Sequence, residues 1–232
     1  MVRVLSLDSS STRCAAAVCD GSHVRVRSAQ RPRSHAQDLL GLVEDVLENA
    51  HLTLAQLDCL SVLAGPGSFT GLRIAVGVAQ GLALAVNKPV VLLSTLEALA
   101  WSAQAHSHST HVLVAMQARD GEVYFASYGK DGGSHLTLWG QERVAPPAAL
   151  GDMAPRLRGR QWLAAGDGWV DPDPLQQALG VQPTDVLPAL EPDMHTVCEL
   201  AAHRFKLGLW VTAEQAQPHY IKEHMDYRTV QS

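Results

Sequence analysis

Gly65-Pro66-Gly67-Ser68-Phe69-Thr70-Gly71-Leu72-Arg73 joins an apolar run, Cys59 to Ala64, to a nearly uncharged stretch that stops at Asn87-Lys88-Pro89. The spacing predicts a strand, a glycine-rich turn and a helix over 70–86. Strand–turn–helix units build the sheets of α/β proteins, and the backbone N–H groups at such a turn can hold an anion. The turn is not a Walker A loop, because no Lys-Ser or Lys-Thr follows its last glycine. It also fails Gly-x-Gly-x-x-Gly, since Thr70 stands at the third glycine. Gly65, Gly67 and Ser68, with Asp8 and Ser9 from the N-terminal turn, are the candidates for an anion or nucleotide loop. The alternative is a tight turn that lets a helix pack closely on its sheet.

Upstream of the turn, residues 2–7, 14–19 and 23–28 read as three strands. Asp20-Gly21 is a hairpin turn between the second and third, which predicts an antiparallel meander. Ser34 with Gln37 makes a capping box. Behind it Leu39, Leu40, Val43, Val46, Leu47 and Ala50 recur at helical spacing, giving a helix over 35–50. Thr53 with Gln56 caps a short turn. After the quoted stretch, Val90 to Leu93 form a strand, and Ser94 with Glu97 opens a helix to about Ala103. A Ser/His-rich linker over 104–111 follows.

Downstream the order recurs. Strands are expected at 112–116, 122–128, 135–139 and 161–165, a helix at 146–157 and another at 194–209. The Pro/Asp/Gly-rich segment 166–192 gives no clear elements. The expectation is an α/β chain of two halves, 1–103 and 104–232, each a mixed sheet flanked by helices, with the C-terminal segment returning to the first half.

The helix over 70–86 carries only Arg73 and Gln80 as long polar side chains. Gly71, Ala75, Ala79 and Ala83 line one stripe; Gly77, Gly81 and Ala85 line another. A helix that is apolar or small all round calls for cover all round, and a sheet covers one side. Interior helix glycines cost about 1 kcal/mol each relative to alanine, so they need a packing reason. Close approach of a second helix supplies one. The expected interface pairs this helix with 35–50, through His35, Leu39, Leu42, Val46, Arg73, Ala75, Val76, Ala79, Gln80 and Ala83. An intramolecular helix pair is the other reading.

With 232 residues, 47% hydrophobic and 18% charged, the composition is that of a folded globular chain. Net charge is −5, which argues against a stand-alone nucleic-acid binder. Six arginines in residues 1–33 (Arg3, Arg13, Arg25, Arg27, Arg31, Arg33) are a local exception. No apolar run is read as long enough for a membrane span, and no cleavable signal pattern opens the chain, so a cytosolic protein is expected. Cys14, Cys19, Cys59 and Cys198 form no C-x-x-C pair and read as small hydrophobes. His106, His108 and His111 lack a nearby carboxylate or cysteine, so no metal site is assigned. Gln117 stands at the second-half position matching Asp8. Without a carboxylate in each loop to hold Mg²⁺, no complete ATPase site is assembled, and no paired acids or Ser-His-Asp grouping emerges. No cofactor is expected.

The quoted stretch resembles the TsaB (YeaZ) family, and does so with high specificity. Leu5-Ser6-Leu7-Asp8-Ser9-Ser10, Ser34-His35, Arg119-Asp120-Gly121-Glu122-Val123-Tyr124 and Pro218-His219-Tyr220-Ile221-Lys222 extend the resemblance over nearly the whole chain. It implies two actin-like (RNase H-like) halves. It also implies a non-catalytic paralogue of TsaD, the subunit that transfers a threonylcarbamoyl group to adenosine 37 of tRNA. Pairing with TsaD through helices 35–50 and 70–86, with the ATPase TsaE joining, is what the resemblance implies for partners. tRNA would then be met through the complex. Apart from the resemblance, the same apolar helices offer a homodimer contact when the partner is absent. The paralogue's metal-binding histidine pair has no counterpart here. Gln117, Ala75 and Lys222 depart from the family's more frequent Asp, Gly and Arg. Against this stands an independent actin-like ATPase or a peptidase-like hydrolase, which would need Asp8 and the Gly65 turn to bind its substrate.

Overall fold

The computed structural model describes residues 1–30, 35–130, 132–133 and 135–221, without the side chains of 35–37. The first half opens with β1 (Val4–Asp8), β2 (Arg13–Cys19) and β3 (Val24–Gln30), paired antiparallel as the hairpin signals predict. Then come α1 (His35–Ala50), β4 (Cys59–Gly65), α2 (Phe69–Val86), β5 (Val90–Ser94) and α3 (Thr95–Ser107). The sheet order is β3-β2-β1-β4-β5, with β4 parallel to both β1 and β5.

The second half holds β6 (His111–Gln117), β7 (Val123–Gly129), β8 (Thr137–Leu138), β9 (Arg143–Ala145), α4 (Ala154–Leu157), β10 (Leu163–Ala165), α5 (Asp173–Leu179), β11 (Asp185–Leu187) and α6 (Met194–Lys206). Its sheet runs β11-β10-β6-β7-β8, with β9 also on β7. An antiparallel hairpin beside parallel β6-β10-β11 repeats the plan of the first sheet. The duplication expected from element order is therefore a duplication of topology.

Strand alternation divides the core into layers. Leu5, Leu7, Ala16 and Val18 face α1 and α2. Val4, Ala15, Ala17, Leu63 and Leu93 face the other way, onto α3 and α6, which also take Val112, Val114 and Ala126 of the second sheet. The outer face of that sheet is covered by Trp162, Trp169, Leu175 and Leu179. The buried polar groups at the centre are paired: Ser6 and Ser61 hydroxyls lie 2.6 Å apart, and Cys198 Sγ donates to Ser6 Oγ at 3.3 Å. Cys14, Cys59 and Cys198 are buried and Cys19 is half-buried.

Several expectations are corrected. The linker over 104–111 is shorter, because α3 runs on to Ser107 and is closed by left-handed His108. Ser94 caps α3 through Leu96 N and Glu97 N, but the Glu97 side chain pairs with Arg204 rather than completing the box. The helix over 146–157 is a 3₁₀ turn, Pro147–Met153, followed by the short α4. The strand over 135–139 shrinks to Thr137–Leu138. The Ser34–Gln37 capping box lies outside the described residues. Residues 211–219 return to the first half: Val211 bridges Val90, and His219 N donates to Ala64 O at 2.8 Å.

Helix α2 also overturns the expectation that no stretch has the length and apolarity of a membrane span. It has 18 residues, a mean hydropathy of 1.6, and only a third of it is buried by this chain. What it does instead is lie along β4 and beside α1, with one face on the sheet.

Candidate functional site

The Gly65–Arg73 turn is built from both ends of the chain. Gly65 has φ +133°, and a Cβ there would stand 2.5 Å from the His219 carbonyl oxygen. Gly71 sits in the first turn of α2, where a Cβ would stand 1.8 Å from the Ser9 carbonyl oxygen. Ser68 caps α2 by accepting from Gly71 N at 3.3 Å, and its own N–H donates to Ser10 O at 2.7 Å. Thus the backbone of the β1–β2 turn fills the space before the α2 N-terminus. The five candidates for an anion loop come together here, but Ser10 engages two of them, donating to Asp8 and accepting from Ser68 N.

Asp8 is 1% exposed. One of its carboxylate oxygens accepts from Ser10 N at 2.8 Å and from Ser10 Oγ at 2.7 Å. This is a turn-capping geometry. Burial pushes the Asp8 carboxyl above its ordinary range, and the Ser10 bonds and Arg13 pull it partly back. The sign follows from linkage. A folded pKa above the unfolded value of 3.8 means stability is lost as pH rises through the folded pKa. Asp8→Asn carries no such loss. The stability difference between variant and parent should therefore move in the variant's favour as pH rises from about 4 toward neutrality, and then level off. Urea unfolding across that range measures it; a difference independent of pH would remove the assignment.

The matching turn in the second half is closed as well. Gln117 N donates to Asp167 Oδ1 at 2.7 Å and Gln117 Nε2 donates to Asp167 O at 3.2 Å. Gly166, at φ +101°, lies so close to β6 that a Cβ would stand 2.2 Å from Ala115 O. Among the described residues no group of three His, Cys, Asp or Glu could hold a metal ion.

The α2 face divides the sequence-derived interface residues. Ala75, Ala79 and Ala83 are 0% exposed, and Val76, Leu39 and Val46 are also buried, all in the core against the first sheet. Leu42 is half-buried, and Gln80 donates to Ala213 O at 3.0 Å. His35 begins α1, and its side chain is outside the described residues. Arg73 is exposed, stacks 3.9 Å above the Phe69 ring, and donates from Nε to Tyr220 Oη at 3.1 Å. What α2 offers outward is the other stripe: Gly77, Gly81 and Ala85, flanked by Phe69 at 45% and Leu84 at 50% exposure. Leu40 of α1 adds to it at 45%. Periodicity alone could not rank the two small-residue stripes. The usable signal was glycine itself: the stripe holding two glycines in mid-helix needs a packing reason that the sheet does not supply.

Two lobes of one topology, each a mixed sheet with helices, define an α/β protein of the two-domain actin-like fold. YeaZ from Pseudomonas aeruginosa superposes with a TM-score of 0.84 at 34% identity, over 95% of this chain and all of that one. The family model for TsaD, tRNA N6-adenosine threonylcarbamoyltransferase, matches residues 28–180. The Escherichia coli tRNA threonylcarbamoyladenosine biosynthesis protein TsaB is 33% identical over 230 residues, 98% of this chain and 97% of that protein. A tRNA N6-adenosine threonylcarbamoyltransferase from Granulibacter bethesdensis is 33% identical over 43% of this chain and 32% of its own length. The chain belongs to the TsaB (YeaZ) family of tRNA threonylcarbamoyladenosine biosynthesis proteins.

Proposed function

We propose that the chain is a non-catalytic scaffold subunit of the assembly that forms threonylcarbamoyladenosine on tRNA. It binds a TsaD-type transferase through the outward face of α1 and α2, and TsaE joins the pair. The observation that carries this reading is the uncovered apolar stripe of α2, an 18-residue helix of which this chain buries a third. Exposed contiguous apolar surface of this kind marks a protein interface. Two turns support the non-catalytic part: one Asp8 oxygen is taken up by Ser10, and Gln117, an amide at the matching place, is held by Asp167. An actin-like enzyme would need both places open to phosphate and Mg²⁺.

The test is reconstitution by omission. tRNA, ATP, the enzyme that makes threonylcarbamoyl-adenylate, TsaD and TsaE are combined with and without this chain, and modified adenosine is quantified. Modification that depends on the chain, with none from the chain alone, is the expected result. Equal modification in both mixtures would overturn the proposal.

A further inference from the structure

Residues 143–161 run against the charge of the chain. They hold Arg143, Arg156, Arg158 and Arg160 and a single acid, Asp152, in a protein whose net charge is −5. Asp152 is taken up by Arg143, which donates from Nη1 to both carboxylate oxygens at 2.6 and 2.8 Å. Arg156, Arg158 and Arg160 are exposed, and none of them makes an ion pair among the described residues. The N-terminal arginines are placed differently. Arg13 lies 3.3 Å from Glu191, and Arg25 lies 2.9 Å from Asp20.

The fold gathers these cations on one surface. Arg160 stacks 4.6 Å above the Trp139 ring. Trp139 is half-buried and meets the fully buried Trp162 edge-on at 5.5 Å, so this platform is anchored in the core. The Arg156 guanidinium lies against the next residue of the same loop, since a Cβ on Gly140 would stand 3.1 Å from its Nη1. Arg160 Nη1 also donates to Arg156 O at 3.4 Å. Arg158 stands between the two, beside Gly159 at φ +77°, where the chain turns. Like charges held together repel, and an anion from outside relieves them. Arginine forks match phosphate oxygens in pairs, and a cationic surface with an aromatic platform suits a nucleic-acid strand.

We propose that Arg156, Arg158 and Arg160, beside Trp139, contact the phosphate backbone of tRNA. RNA is named as the polyanion on the strength of the proposed function. The arginines belong to the second lobe, whereas the partner face is α1 and α2 of the first. One chain can therefore meet the transferase and the tRNA by different surfaces.

The test is titration of fluorescently labelled tRNA with the full chain alone, read by anisotropy at salt concentrations from about 25 to 200 mM. Binding with a Kd of about 1–100 µM that weakens steeply with salt is expected. Arg156→Gln/Arg158→Gln/Arg160→Gln should weaken it at least about tenfold at low salt and lower the slope of log K against log salt by about two to three. Arg3→Gln/Arg27→Gln/Arg119→Gln removes the same charge at exposed arginines elsewhere and should keep the parent's slope. If the first triple variant does not fold, Arg158→Glu takes its place, with a slope lower by at least about one. No binding up to about 100 µM, equal losses in the two triple variants, or an unchanged slope in the folded patch variant would overturn the proposal. So would polyglutamate bound as tightly as tRNA, which would assign the surface to an acidic protein. No transferase is present, so the result stands apart from the reconstitution. Binding that needs the patch, with modification indifferent to the chain, would sink the proposed function alone. Modification that needs the chain, without tRNA binding, would sink this inference alone.

Discussion

Gly71→Ala is expected to cost the chain about 3 kcal/mol or more of folding stability, enough to lower the urea midpoint sharply or to prevent folding at physiological temperature. The added methyl would stand 1.8 Å from the Ser9 carbonyl oxygen and 3.3 Å from Ser68 Cβ. An alanine Cβ has no rotamer through which to escape, so backbone must move. The β1–β2 turn is poorly placed to yield. Ser10 N and Oγ are both tied to Asp8, and Ser10 O accepts from Ser68 N at 2.7 Å. Separating the turn from α2 forfeits that last bond, worth about 1 kcal/mol, on top of the usual 1–3 kcal/mol of overpacking. The helix-propensity gain of alanine returns at most about 1 kcal/mol. Equilibrium urea unfolding of parent and variant measures the difference. A loss below about 1 kcal/mol would mean that the turn moves freely and that α2 is not docked through it.

That contact explains what was legible in the sequence and what was not. The Gly65–Arg73 stretch announced a strand, a turn and a helix because local signals agreed: an apolar run, turn glycines, a capping serine and a proline stop. The meander before it followed from alternation and from Asp20-Gly21. Which partner Gly71 needed was not legible, because Ser9 lies 62 residues away in sequence and no local pattern encodes a close approach. The same holds for Gly65, which makes room for the His219 carbonyl. Pro218 to Ile221 was recognisable as a resemblance, yet its place against the turn is a tertiary fact. Ser94 and Glu97 have the spacing of a capping box, but the Glu97 side chain pairs with Arg204 of α6 instead of making the local bond.

The second lobe was harder for a different reason. Between 166 and 192 the elements are short: a 3₁₀ turn at Asp167–Trp169, the seven-residue α5 and the three-residue β11. Segments of that length carry too few periods to show a pattern, and isolated helices so short are not stable by propensity. They are held by packing, as Trp169, Leu175 and Leu179 are buried together with Trp162 in the outer core. The candidate interface residues lie on α1 and α2, as their spacing predicts. The facing was not resolved, since Ala75, Ala79 and Ala83 lie against the sheet.

The facing decides the experiment on the partner surface. Gly77→Leu/Gly81→Leu should leave the isolated chain as stable as the parent or more so, and should weaken binding to a TsaD-type transferase about 100-fold. Both glycines are exposed, and a Cβ at either meets nothing within 4 Å of this chain. Replacing them by leucine removes a helix-propensity cost of up to about 1 kcal/mol per site. A chain selected only for its own fold would gain from that change, and under the proposed function the glycines are where the partner's backbone comes close. Two added side chains at a closely packed contact force the surfaces apart, and overpacking of 1–3 kcal/mol per site is enough for about a 100-fold loss. Ala79→Leu is the contrasting variant. Ala79 is 0% exposed against the first sheet, so this change should destabilise the isolated chain by about 1–3 kcal/mol. Unfolding curves and calorimetric affinities on the same preparations separate the two effects. If the chain also pairs with itself through this stripe, sedimentation of the double variant should show a more monomeric protein than the parent. Undiminished transferase binding by the folded double variant would place the interface elsewhere, and the two mid-helix glycines would be left without a reason.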